Sequence, residues 1–203
     1  MKVKICGLRD NFTEVMALRP DFAGLIFYPK SPRYVGDCQD DALKMKLTYT
    51  KKVGVFVNDD YDTIARAAAE FNLDAVQLHG DETPQLCDFL RQDYLVIKAL
   101  SIATADDLAK LAAYKGVVDY FLFDTKTPGY GGSGKKFDWQ ILNSALIDAP
   151  FILSGGISPD DIPAVIDLKI PNLVGIDLNS KFETAPTMKD IAKLSDVMRI
   201  VKN

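Results

Sequence analysis

Two short segments place reactive side chains at the carboxyl ends of apolar runs. The first is Lys4-Ile5-Cys6-Gly7-Leu8-Arg9-Asp10, and the second is Tyr120-Phe121-Leu122-Phe123-Asp124. A thiolate can remove a proton as well as attack carbon. A carboxyl group that follows four apolar residues starts from a dry environment, and partial desolvation would let it hold a proton near neutral pH. Together they suggest a base and an acid facing one substrate. Each also has a plainer reading: free cysteine is often a packed small hydrophobe, and aspartate often caps a loop at a strand end. Lys4 and Cys6 share a strand face by alternation, so an inward Lys4 would help stabilise the Cys6 thiolate.

Other residue types fit a site of this kind. Arg33, in Ser31-Pro32-Arg33, can grip a carboxylate through two parallel hydrogen bonds. His79, the single histidine, closes Val76-Gln77-Leu78-His79-Gly80 and reads equally as an acid–base group or a structural imidazole. Asp177 either binds substrate hydroxyls or pairs with Lys4. Lys98 reads as an internal ion pair, with a Schiff-base nucleophile as the alternative. Ser154-Gly155-Gly156 and Asn179-Ser180 are small-residue turns that suit a phosphate held by backbone N–H groups. Gly131, Gly132 and Gly134 make a glycine-rich segment that is either a cover over the site or an ordinary loop.

Positioning these groups requires repeated strand–helix units. Strands are expected at 2–8, 22–28, 52–58, 75–79, 95–100, 120–125, 151–154 and 173–178. Helices are expected at 11–18, 41–46, 61–71, 84–91, 105–114, 138–145, 159–167 and 189–201. Ile64, Ala65, Ala68 and Phe71 recur at helical spacing, and Thr104 and Ser158-Pro159 are helix-start signals. Eight such units without a linker predict an α/β fold, a (β/α)8 TIM barrel, as a single domain over residues 1–203. A doubly wound open sheet uses the same alternation. In a barrel the strand ends carry the chemistry, and the turns after strands seven and eight commonly take phosphate. The long loops fall near 29–40 and 126–137.

Composition narrows the function classes. A net charge of −4 lacks the basic footprint of a nucleic-acid binder. No apolar run approaches the ~18 residues of a membrane span. Strand-like sequence begins within two residues of the start, which leaves no room for a signal peptide, so a cytoplasmic enzyme is expected. Cys6, Cys38 and Cys87 match neither a disulfide framework nor a zinc spacing, and one histidine makes a histidine-rich metal site unattainable. No metal is expected.

These stretches taken together resemble the phosphoribosylanthranilate isomerase family of tryptophan biosynthesis. Lys4-Ile5-Cys6-Gly7 resembles its opening motif, and Ser31-Pro32-Arg33 its arginine loop. Gly54-Val55-Phe56-Val57-Asn58 and Val76-Gln77-Leu78-His79-Gly80 are similar to its third and fourth strand signatures. Asp124 through Ser133-Gly134 and Phe137-Asp138-Trp139 resembles its sixth-strand motif, and Ser154-Gly155-Gly156 and Asp177 through Glu183 fall where its last two motifs belong. The resemblance implies an Amadori rearrangement of N-(5-phosphoribosyl)anthranilate to 1-(2-carboxyphenylamino)-1-deoxyribulose 5-phosphate, with no cofactor. It implies Asp124 as the acid that opens the furanose and Cys6 as the base at C2. Arg33 would hold the anthranilate carboxylate, while Gly155, Gly156, Asn179 and Ser180 would hold the phosphate. His79 and Asp177 are expected to contact substrate, and Gly131, Gly132 and Gly134 to form the active-site loop. The partner is a small phosphosugar-anthranilate, with no nucleic acid and no membrane, and the protein is expected to be a monomer or homodimer. One departure stands out: members commonly carry Ser-Ser-Gly where this chain has Asn179-Ser180-Lys181. Lys181 is expected to point away from the phosphate.

Overall fold

The computed structural model describes residues 1–126, 136–144 and 147–202. Its elements, in chain order, are β1 (Lys2–Cys6), α1 (Phe12–Ala17), β2 (Phe22–Ile26), α2 (Asp41–Lys44), β3 (Lys51–Phe56), α3 (Tyr61–Phe71), β4 (Ala75–Leu78), α4 (Pro84–Leu90) and β5 (Leu95–Ile102). A 3₁₀ helix, Ala105–Tyr114, precedes β6 (Tyr120–Thr125), and a second, Trp139–Ser144, precedes β7 (Phe151–Leu153). Next come the turn Pro159–Asp161, α5 (Ile162–Asp167), β8 (Leu173–Leu178), a short 3₁₀ turn Ser180–Phe182, β9 (Glu183–Ala185), β10 (Met188–Lys189) and α6 (Ile191–Lys202).

Strands β1 to β8 pair in order as a closed parallel barrel, with β8 returning to β1. All eight expected strands form, and closure excludes the open-sheet alternative. Alternation divides each strand between two packing zones. Phe22, Val53, Ala75, Ile97, Ala99, Leu122 and Ile152 fill the barrel interior as a layer of their own. The intervening residues, among them Val3, Ile5, Ala23, Val76, Val96, Phe121 and Phe123, belong to the larger core that also holds helix residues Val15, Ile64, Leu90 and Leu194. The interior apolar layer is the floor on which the polar strand ends stand.

Local chemistry accounts for most element boundaries. Asp60 caps α3 by accepting from the Thr63 N–H at 2.9 Å, and Asn72 closes it in the left-handed region, φ 50°. Thr83 caps α4, with Pro84 in its first turn, where a missing N–H costs nothing. Thr104 and Asp107 form a capping box, so the start signal holds, but the element it starts is 3₁₀ rather than α. Leu108, Leu111 and Tyr114 are three apart, and three residues per turn align them in one row facing the core. The last helix starts two residues later than its pattern suggests. Asn11 exchanges two hydrogen bonds with the Lys189 backbone, at 3.0 and 2.9 Å, and holds it extended as β10. The β9–β10 hairpin had no counterpart among the expected elements. No helix among the described residues is long and apolar enough to cross a membrane.

Candidate active site

The site begins at a buried charge pair. The Lys4 ammonium on β1 donates to Asp177 Oδ1 on the neighbouring β8 at 3.0 Å, and the Ser154 hydroxyl donates to Asp177 Oδ2 at 3.1 Å. Of the two roles open to Asp177, the structure realises the pairing with Lys4, while the residue still lines the cavity. Cys6 lies two residues beyond Lys4 on the same face, 4% exposed. Burial pushes its thiol pKa up, and the charge of Lys4, within hydrogen-bonding range, pulls against this without reversing it. Lys4 therefore helps the thiolate as expected, but desolvation is the larger effect. Lys4 itself is pulled down by burial but raised overall by Asp177, so it stays a cation. Gly24 on β2 leaves room for the sulfur, since a Cβ there would lie 2.7 Å from Cys6 Sγ and 3.1 Å from Lys4 Nζ.

The acid candidate stands near the carboxyl end of β6. Asp124 is 9% exposed, and its Oδ1 accepts the Thr125 N–H at 2.8 Å. The His79 imidazole reaches it from the end of β4, with Nε2 3.3 Å from Asp124 Oδ2 and Nδ1 3.0 Å from the Gln77 side-chain amide. His79 thus meets Gln77 through Nδ1 and faces Asp124 with Nε2. The turn after β7 presses on the same carboxylate. Gly155 and Gly156 have φ of 93° and 67°, a conformation that suits glycine, and a Cβ at Gly155 would lie 3.0 Å from Asp124 Oδ1.

These groups share one cavity of about 270 Å³ at the carboxyl ends of the strands. Cys6, Asp124, His79 and Asp177 line it together with Arg33, the Gly155-Gly156 turn, Asn179, Ser180 and Lys181. A thiol, a carboxyl and a guanidinium around a paired-glycine turn suit a substrate that carries a phosphate, a carboxylate and an ionisable C–H. The family model for N-(5'-phosphoribosyl)anthranilate isomerase matches residues 3–200. The chain belongs to the phosphoribosylanthranilate isomerase family. The curated isomerase of Parabacteroides distasonis is 46% identical over 98% of this chain and 92% of its own length. That of Phocaeicola vulgatus is 42% identical over 100% and 98%. The crystal structure of the Thermotoga maritima isomerase superposes with a TM-score of 0.88 at 33% identity, covering 100% of this chain and 98% of that one. A further isomerase structure, in complex with reduced 1-(o-carboxyphenylamino)-1-deoxyribulose 5-phosphate, superposes with a TM-score of 0.85 at 30% identity over the same shares.

Arg33 is held by a partner within the protein. Its Nε and Nη2 donate to Glu183 at 2.8 and 2.5 Å, and Lys189 Nζ donates to the same carboxylate at 2.8 Å and to Asn179 Oδ1 at 2.9 Å. The Asn179 side chain is therefore turned toward Lys189. Burial alone would raise Glu183, but its hydrogen bonds to Arg33 and Lys189 bring its pKa below the usual carboxylate range. The same burial lowers Lys189 despite Glu183. Sequence reading missed Glu183 and Lys189 as site supports. A charged pair flanking Ala185-Pro186-Thr187 was the available signal, since both ends of a tight hairpin face the same way. Lys181 is exposed at the cavity rim. Lys98 faces outward, between inward Ile97 and Ala99, and bonds Glu82 at 2.9 Å. The ion-pair reading holds, and a Schiff-base nucleophile in this cavity is ruled out by strand alternation. Gly131, Gly132 and Gly134 lie outside the described residues. Among the described residues no group of three or more His, Cys, Asp and Glu is arranged to hold a metal ion.

Proposed function

We propose that this chain converts N-(5-phosphoribosyl)anthranilate to 1-(2-carboxyphenylamino)-1-deoxyribulose 5-phosphate by general acid–base catalysis, with Asp124 as acid, Cys6 as base and the whole barrel as one catalytic unit. The observation that carries this reading is the convergence of Cys6, from β1, and Asp124, from β6, on a single cavity. Asp124 gives its proton to the furanose ring oxygen as the C1–O bond breaks, and the anilino nitrogen supplies the electron pair that forms the C1=N Schiff-base cation. Cys6 then takes the C2 proton. The electrons of that bond form C1=C2, the C1=N pair returns to nitrogen, and the enolamine tautomerises to the ketone. No electrons are gained or lost overall.

The order of the steps suits the electrostatics. Burial holds the Cys6 pKa up, whereas a Schiff-base cation beside it favours the thiolate. The acid step therefore prepares the base step. Arg33, aligned by Glu183, receives the anthranilate carboxylate, and the backbone near Gly155, Gly156 and Ser180 receives the phosphate. His79 and Asp177 support the reacting groups more than the remote ends of the substrate.

The test follows the fluorescence of the anthranilate substrate as it is consumed. Cys6→Ser and Asp124→Asn should each lower kcat by ~10²-fold or more, the usual scale for losing an acid or base, with little change in substrate binding. Near-native turnover in either folded variant would remove that residue from its role.

A further inference from the structure

We propose that Gln77 sets the tautomer of His79, so that the imidazole faces Asp124 as a hydrogen-bond donor and never as a proton acceptor. Gln77 and His79 are two apart at the end of β4 and point to the same side. Gln77 is 1% exposed, and its Nε2 lies 3.0 Å from His79 Nδ1, while His79 Nε2 lies 3.3 Å from Asp124 Oδ2. The other amide atom, Gln77 Oε1, is buried and meets no partner among the described residues.

A neutral imidazole carries one donor and one acceptor, so what Nδ1 meets decides what Nε2 is. An amide N–H directed at Nδ1 requires a bare Nδ1 and places the ring proton on Nε2, toward Asp124. Turning the amide over would put Oε1 against an Nδ1–H and leave Nε2 bare. That arrangement would also leave the NH₂ group where the lone Oε1 now sits. A bare buried N–H is rarer in folded proteins than an under-satisfied carbonyl, so the first arrangement is preferred.

The consequence rests on Asp124 being the acid. An Nε2–H imidazole has no lone pair there to take the proton that Asp124 must deliver to the ring oxygen. It does stabilise the carboxylate that remains once that proton has gone, by donating to Oδ2. Gln77 and His79 are positioning residues in this scheme, acting through Asp124.

His79 is the one histidine among 203 residues, so protein labelled with ¹⁵N-histidine gives a single imidazole spectrum. Long-range ¹H–¹⁵N correlations at mildly alkaline pH should show Nε2 protonated and Nδ1 bare in the native, ligand-free protein. Gln77→Leu removes the donor at Nδ1. Its spectrum should show the Nδ1–H form appearing, and its kcat should fall on the order of ten-fold with KM nearly unchanged, less than the loss from removing the acid itself. An Nδ1–H imidazole in the native protein overturns the assignment, and that result needs no variant to fold. A folded Gln77→Leu that keeps the native spectrum overturns the role of Gln77, and a changed spectrum with native kcat overturns the catalytic consequence. The spectrum is read without turnover, so it stands apart from the fate of Asp124→Asn, which tests the acid.

Discussion

At Cys6 two opposing effects act on one sulfur: burial favours the neutral thiol, and Lys4 favours the thiolate. The balance depends on where the sulfur sits, and Gly24 sets that position. A methyl group there would lie 2.7 Å from Cys6 Sγ, closer than atoms that are not bonded can approach. Gly24→Ala should therefore lower kcat by roughly 10²-fold, the scale of losing the base, while the urea midpoint changes far less. Steady-state kinetics beside an unfolding curve checks this; native kcat in Gly24→Ala would show that the thiol tolerates displacement. Cys6, Asp124 and Asp177 were legible in the sequence because strand ends are recognisable from apolar runs. Gly24 was not, because its importance is a distance across two strands, and an unremarkable Ala-Gly-Leu run carries no trace of it.

The helices are short, and their ends are served from inside the barrel wall. Lys52, fully buried on β3, donates to the Leu43 carbonyl of α2 at 3.0 Å and to the Phe71 carbonyl of α3. It supplies positive charge where helix carbonyls are left over. Burial lowers its pKa to about 8 from 10.5. With the folded value below the unfolded one, the unfolded chain binds more protons between those two values, so the contribution of Lys52 to stability rises with pH through that window. The change amounts to about 3 kcal/mol at most. Urea unfolding of the native protein and of Lys52→Met, at pH values below and above the window, should show their difference moving toward the native protein as pH rises. A difference that is constant or moves the other way would mean that burial does not lower the Lys52 pKa. Sequence patterning recovered α3 residue for residue because Ile64, Ala68 and Phe71 repeat at its period. It could not foresee 3₁₀ geometry at Ala105–Tyr114, where spacing by three suits either helix.

At the scale of the whole barrel, one buried ion pair ties a strand to the loops beside it. The Lys98–Glu82 pair lies outside the barrel wall with both side chains 1% exposed, and Glu82 Oε1 also accepts the N–H groups of Asn58 and Gly80 at 2.9 and 3.0 Å. One carboxylate thus links the turns after β3 and β4 to β5. Removing either partner leaves a buried charge alone, so Lys98→Met and Glu82→Gln should each cost about 3–5 kcal/mol. The double variant should lose less than the sum of the two, since the partners are in contact. Chemical unfolding of the four proteins measures this, and additive losses would deny the coupling. Borohydride added with substrate should leave Lys98 unmodified, because its ammonium is enclosed by Leu78 O, Gly80 O and Glu82.

The order of the eight barrel strands with helical segments between them, the residues at the strand ends and the family motifs were set by the chain alone, since periodicity, caps and turn residues act over a few neighbours. Barrel closure, the pairing of Lys4 with Asp177 across 173 positions, the grip of Glu183 on Arg33 and the contact of His79 with Asp124 were decided only by the tertiary structure. Each depends on the register of strands far apart in sequence and on side-chain directions, and a linear pattern of residues encodes neither until the barrel has closed.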